Sequence, residues 1–122
     1  MEKTATFEDL LVWQKGHLLV LKIYKLTKNF PKEEVYGLTS QFRRAAISIT
    51  ANIAEGYKRI NNKEKLRFYN ISQASLEECR YFLILSKDLN YVDNITQEKK
   101  LIEEVSKMLN AYVRSILNNT TK

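Results

Sequence analysis

The segment from Gln41 to Gly56 restricts the fold of this chain more than any other. At roughly 100° per residue on an α-helix, Gln41, Arg44, Ser48, Asn52, Glu55 and then Arg59 fall into one narrow polar stripe. Apolar and small residues border it, Phe42, Ala45, Ile49 and Ile53 on one flank and Ile47, Ala51 and Ala54 on the other. A helix at the edge of a bundle hides one apolar face and shows a broad charged one. This helix carries too little charge for that. Two readings are open: the stripe is the wet side of the helix, or the helix is packed on more than one side, by its own bundle and by another copy of the chain. The second is the expectation, with Ile47, Ala51 and Ala54 forming the oligomer interface. Arg44, Asn52 and Glu55 are then expected to share a structural polar network, because a semi-buried carboxylate needs a cationic or hydrogen-bonding partner.

Only three Gly and one Pro punctuate 122 residues, which favours few long elements over many short strands. Helical spacing predicts four helices in a single domain spanning 1–122, over about 8–29, 36–59, 63–89 and 97–117. In the first, Leu19, Ile23, Leu26 and Phe30 repeat at core spacing, Val12, Val20 and Tyr24 widen the arc, and Pro31 closes the end. Trp13 reads as a large core or interface side chain, and His17 as a residue at a helix surface or seam. Asn61-Asn62 is the clearest turn, with Asn62 as the expected N-cap of the third helix. That helix is expected to face inward along Phe68, Ile71, Ser75, Cys79, Phe82, Ser86 and Leu89, broadened by Leu76 and Leu83. Thr96 is the expected cap of the last helix, whose inner face holds Ile102, Val105, Leu109, Tyr112, Val113 and Ile116. The polar tail from Asn118 to Lys122 is expected to fray. Four such helices joined by short turns make an all-α, antiparallel up-down-up-down four-helix bundle.

Several function classes lose support at this level. The metal sites that bundles house are built from Glu and Glu-x-x-His; here the single histidine, His17, has Gln14 where the glutamate belongs. No zinc spacing, glycine-rich phosphate loop or nucleophile elbow occurs. Cys79 lies on an apolar face and reads as a structural thiol suited to a reducing compartment. A catalytic or small-molecule site around Asn52 and Glu55 would need a nucleophile or a second carboxylate beside them. The expectation is no enzyme, no cofactor and no metal. Met1 to Thr6 shows no signal peptide and no apolar run reaches the roughly 18 residues of a membrane span, so a cytoplasmic protein without a membrane partner is expected.

A net charge of +6 favours anionic partners. The cations crowd around the second turn, where Lys58, Arg59, Lys63, Lys65 and Arg67 surround one acid, Glu64, and interleave with Tyr57, Phe68 and Tyr69. Cations neutralise phosphates and aromatic faces stack on unpaired bases. Arg43 is placed as an extension of this patch along the second helix. The same residues also suit a solvated helix end whose aromatics turn inward.

Several motifs resemble those of a known family. They are Phe7-Glu8-Asp9-Leu10 with Val12-Trp13-Gln14-Lys15, then Phe30-Pro31-Lys32, Tyr36-Gly37-Leu38-Thr39-Ser40-Gln41, Arg43-Arg44-Ala45 and Ser48-Ile49 to Asn52-Ile53-Ala54-Glu55-Gly56. Together with Ser75-Leu76-Glu77-Glu78 they resemble the 23S rRNA intervening-sequence proteins, also called S23 ribosomal proteins. The chain departs from that pattern at Gly16-His17, Thr50-Ala51 and Ala74. The resemblance implies a four-helix bundle assembled into a homopentameric ring, with no enzymatic activity. Some members are encoded inside insertions in 23S rRNA genes, so the ribosomal label reflects gene position. A related group, the accessory variability proteins of diversity-generating retroelements, comprises basic pentamers that bind a reverse transcriptase and nucleic acid. The combined expectation is a homo-oligomer that binds nucleic acid, RNA in preference to DNA. The alternative is a scaffold that recruits a protein partner.

Overall fold

The computed structural model describes residues 5–120. Met1 to Thr4, which begin the segment read as signal-free, and Thr121 and Lys122 lie outside the described residues. Of the tail expected to fray from Asn118, the part as far as Thr120 continues the last helix. Four α-helices follow one another: α1 Leu11–Thr27, α2 Leu38–Lys58, α3 Asn62–Asp88 and α4 Thr96–Thr120. The described residues contain no strand. Helices α1 and α2, α2 and α3, α3 and α4, and α4 and α1 pack side by side, whereas the diagonal pairs stay apart. This is the antiparallel up-down-up-down bundle that short connections impose.

The ends of the elements follow local chemistry. A 3-10 turn, Phe7–Asp9, precedes α1, capped reciprocally by the Thr6 hydroxyl and the Asp9 carboxylate. Leu10 is extended there, so α1 starts later than the apolar periodicity suggests. The first helix also stops at Thr27, and Pro31 begins a second 3-10 turn, Lys32–Glu34. Asn61, one residue before the expected cap, accepts from the Lys63 and Glu64 amides and starts α3. At the far end of α3, Asn90 adopts φ 64°, and the Tyr91 amide reaches back to Ser86 O while the Asn90 amide reaches Lys87 O. This is a Schellman closure with asparagine in the left-handed position. Before α4, Asn94 Oδ1 accepts the Thr96 amide, so the capping acceptor is Asn94, with Thr96 already in the helix.

The core is one cluster running through all four helices. Leu19 and Ile23 of α1, Phe42, Ala45, Ile49 and Ile53 of α2, and Ile102, Val105 and Leu109 of α4 are buried as their spacing predicts. The third helix keeps the middle of its expected inner face, where Ser75, Leu76, Cys79, Phe82, Leu83 and Ser86 are buried, and departs from it at the two ends. Tyr69 and Ser72, outside the expected face, point inward, whereas Ile71 and Leu89 are exposed and Phe68 is half-buried. The reason is close approach between α2 and α3. A Cβ on Gly56 would lie 2.5 Å from Tyr69 Cε1, so only glycine lets the tyrosine ring under the end of α2. Ser72, fully buried, donates its hydroxyl to Ile49 O at 2.8 Å, which satisfies both groups across the seam.

Candidate nucleic-acid interface

The middle of the polar stripe of α2, Ser48 and Asn52, lies at its seam with α3, and Gln41, Arg44, Glu55 and Arg59 are exposed. Asn52 Nδ2 donates to Ser48 O at 2.8 Å and to Ser48 Oγ at 3.0 Å, and Ser75 Oγ donates to Ser48 Oγ at 2.8 Å. Glu55 pairs with Arg59 at 2.9 Å, one turn along. Arg44 is exposed and joins neither group. The expected network of Arg44, Asn52 and Glu55 is therefore divided: Asn52 belongs to a serine chain between helices, and Glu55 neutralises a cation of the turn. No metal-holding group of histidine, cysteine or carboxylate side chains forms among the described residues. Cys79 is buried, and desolvation together with nearby Glu78 pushes its thiol up to about 12, far from a nucleophilic thiolate at neutral pH.

The outward side of α2 carries Ile47 and Ala51 in the open and Ala54 half-buried. Beside it, α1 exposes Leu18, Leu21 and Tyr24. Ile47 is 45% and Leu21 54% exposed. Trp13 is half-buried, edge-on to Phe7 with centroids 4.9 Å apart and stacked on exposed His17 at 5.0 Å. Tyr24 and Ile47 line one shallow hollow on the α1–α2 side of the bundle.

Three residues, Arg59 to Asn61, turn the chain from α2 into α3 and bring the cations together. They differ in what already holds them. Lys65 Nζ donates to Tyr57 O at 2.7 Å and Gly56 O at 3.1 Å, so this lysine caps the carbonyl end of α2. Burial lowers its pKa. Arg59 is held by Glu55, and Arg67 by Glu64 through contacts of 3.1 and 3.4 Å. The Arg67 hydrogen bond and charge, followed by Arg59 and Lys63, lower the Glu64 pKa. Both guanidinium groups also lie over the Phe68 ring, each 4.7 Å from its centroid. Lys58 and Lys63 are exposed and make no side-chain hydrogen bond or ion pair among the described residues. Ile60, at the tip between them, is 98% exposed.

Two sequence expectations change here. Arg43 does not extend the patch. It sits near the other end of α2, where Nε donates to Thr27 Oγ1 at 2.8 Å, a second nitrogen donates to Tyr24 O at 3.3 Å, and the guanidinium covers the Tyr24 ring. Of the interleaved aromatics, Tyr69 is fully buried and Phe68 is covered by arginines, so neither ring is open for a base to stack on. What remains is a cationic turn: five positive side chains against Glu55 and Glu64 leave a formal surplus of three, half of the chain's +6. The capping role of Lys65 has no signature in the sequence, because it depends on how the turn folds back.

A comparison with curated proteins found no match. Among solved structures, the chain is similar to a protein of unknown function from the S23 ribosomal protein family of Bacteroides thetaiotaomicron. The two superimpose with a TM-score of 0.75 at 22% identity, covering 84% of this chain and 98% of the other, which is a likeness of fold. The family model for the 23S rRNA-intervening sequence protein matches residues 8–111, nearly the whole bundle. On that match, the chain belongs to the 23S rRNA-intervening sequence protein family.

Proposed function

We propose that this protein is a non-enzymatic, homo-oligomeric bundle that binds nucleic acid, RNA in preference to DNA, through the α2–α3 turn. Lys58 and Lys63 contact phosphates first, because neither gives up an internal ion pair to do so. Arg59 and Arg67 contribute second, sharing their charge with Glu55 and Glu64. Lys65 supports the turn from beneath, and Arg43 takes no part. The observation that carries this reading is the pair of uncommitted lysines at a turn of surplus positive charge. Membership in a family associated with rRNA genes favours RNA.

Self-association uses exposed apolar residues of two helices, Leu18, Leu21 and Tyr24 on α1 and Ile47 and Ala51 with half-buried Ala54 on α2. Large apolar side chains left in the open suit an interaction surface. A closed pentamer, the assembly implied by the family resemblance, repeats the basic turn once per subunit and adds weak contacts through multivalency. Sedimentation equilibrium tests this part: wild type at micromolar concentration is oligomeric, and Leu21→Glu with Ile47→Glu is a folded monomer. A monomeric wild type would refute it.

Fluorescence titration against single-stranded and duplex RNA at increasing salt tests the binding itself. The expected result is measurable affinity at low salt that falls steeply as salt rises. If no RNA or DNA binds at low salt, the protein-scaffold alternative takes its place.

A further inference from the structure

The basic turn continues into a groove of about 460 Å³ between α3 and the C-terminal part of α4. Lys63 and Arg67 stand at its turn side, and Leu66 and Val113 supply apolar wall. Asn70 and Asn110, both exposed, line it farther along. Resting on the nucleic-acid reading above, we infer that this groove receives one unpaired nucleobase of a bound RNA strand, whose phosphate lies on Lys63.

The amide orientations carry the argument. Gln73 Nε2 donates to Ser106 O at 3.1 Å, and a backbone carbonyl can only accept, so the position of that nitrogen is fixed. The same nitrogen donates to Asn110 Oδ1 at 2.8 Å, and Gln73 Oε1 accepts from Ser106 Oγ at 3.0 Å. Asn110 is therefore held with its oxygen engaged by Gln73 and its amide nitrogen left as the donor. Asn70 adds a second amide with both a donor and an acceptor. Carbonyls and ring nitrogens on a base edge are the matching acceptors, and the apolar wall suits the flat face of the ring.

Spacing supports the same occupant. Lys63 and Asn70 are two turns apart on α3, about 10 Å at 1.5 Å per residue, which is the scale of a nucleotide from phosphate to base edge. At one end the groove offers Lys63, with Arg67 beside it paired to Glu64, and at the other it offers amides. A phosphate is thus met by Lys63 and a base edge by the asparagines. A bare anion would use only the cationic end, and a paired base is held in the duplex stack with its Watson–Crick edge occupied, so it cannot insert.

The test compares a labelled mixed-sequence single-stranded RNA with a duplex of equal length, by fluorescence anisotropy on the intact protein. Asn70→Ala with Asn110→Ala is expected to weaken single-strand binding about tenfold, leaving duplex affinity and the salt dependence unchanged. Val113→Trp, which fills the groove, is expected to produce the same selective loss. Thermal melts confirm folding, since neither asparagine is in the core. Unchanged single-strand affinity in these variants, or equal losses on both RNAs, overturns the inference while leaving Lys58 and Lys63 as phosphate contacts. A wild-type protein that prefers duplex also overturns it. Failure of the wild type to bind either RNA removes the inference and the proposed function together.

Discussion

At the end of the bundle where α1 passes into α2, Arg43 and Glu34 are spent on the fold, while Lys28, Lys32 and Glu33 stay exposed. Arg43 clamps α1 to α2 through Thr27, Tyr24 O and the Tyr24 ring. Glu34 accepts the Leu38 amide at 3.1 Å and the Tyr91 hydroxyl at 2.8 Å, tying the start of α2 to the segment between α3 and α4. At the opposite end, the α2–α3 turn commits Lys65 to capping, shares Arg59 and Arg67 with carboxylates, and leaves Lys58 and Lys63 unspent. The two ends hold the same kinds of residue. The difference teaches that a cation is available to a ligand according to its internal partners, and counting Lys and Arg does not reveal those.

The sharpest way to break this contrast is to exchange charge at each end and measure RNA affinity. Lys58→Glu with Lys63→Glu is expected to lower affinity on the order of a hundredfold at low salt, because two phosphate contacts become repulsions, and to flatten the salt dependence. Arg43→Ala is expected to leave RNA affinity unchanged and to cost about 2 kcal/mol of stability in urea unfolding, through a charge-assisted hydrogen bond and a cation–π contact. Equal losses of affinity at the two ends would collapse the distinction. Lys65→Met then separates structure from binding within the basic turn itself. It keeps the aliphatic stem, loses the two carbonyl contacts, and is expected to cost about 1 kcal/mol of stability. Its RNA affinity, measured well below the melting temperature, is expected to fall far less than in the Lys58 and Lys63 variant.

The same contrast explains how far the sequence could be read. Four helices were legible because Gly and Pro are scarce and apolar spacing is regular, and on α2 the stripe of Phe42, Ala45, Ile49 and Ile53 is the true inner face. On α3 the inner face from Ser75 to Ser86 was legible in the same way, and only its ends, Phe68 and Ile71 at one and Leu89 at the other, were misplaced. At the first of these ends a buried serine and a buried tyrosine take the inner face because they fit against α2: Ser72 satisfies Ile49 O, and Tyr69 lies where Gly56 leaves room. Nothing in the composition of α3 announces a partner on another helix. The basic turn was legible as a charge cluster, and the Glu55–Arg59 pair as an i,i+4 spacing. The diversion of Lys65 to the end of α2 and the distance of Arg43 from the patch required the fold.

Glu34 gives the smallest and most specific expectation, at the end where α1 passes into α2. The Tyr91 hydroxyl, then the Leu38 amide, hold its carboxyl below the ordinary value of 4.5. A carboxylate whose folded-state pKa is depressed contributes stability above its unfolded-state value, and loses it as pH falls through the lower folded-state value. Between neutrality and pH 5 the contribution is therefore constant, and below about pH 4.5 it fades. In Glu34→Gln the side chain no longer titrates, so the unfolding midpoint is expected to lose less between pH 5 and 3 than in the wild type. Asp9, lowered by the Ala5 and Thr6 amides, titrates in the same direction at the other end, so Asp9→Asn is the matched control. If Glu34→Gln leaves the acid limb of the stability curve superimposable on the wild type, the link from Glu34 to Tyr91 does not hold this end together, and the contrast between the two ends rests on Arg43 alone.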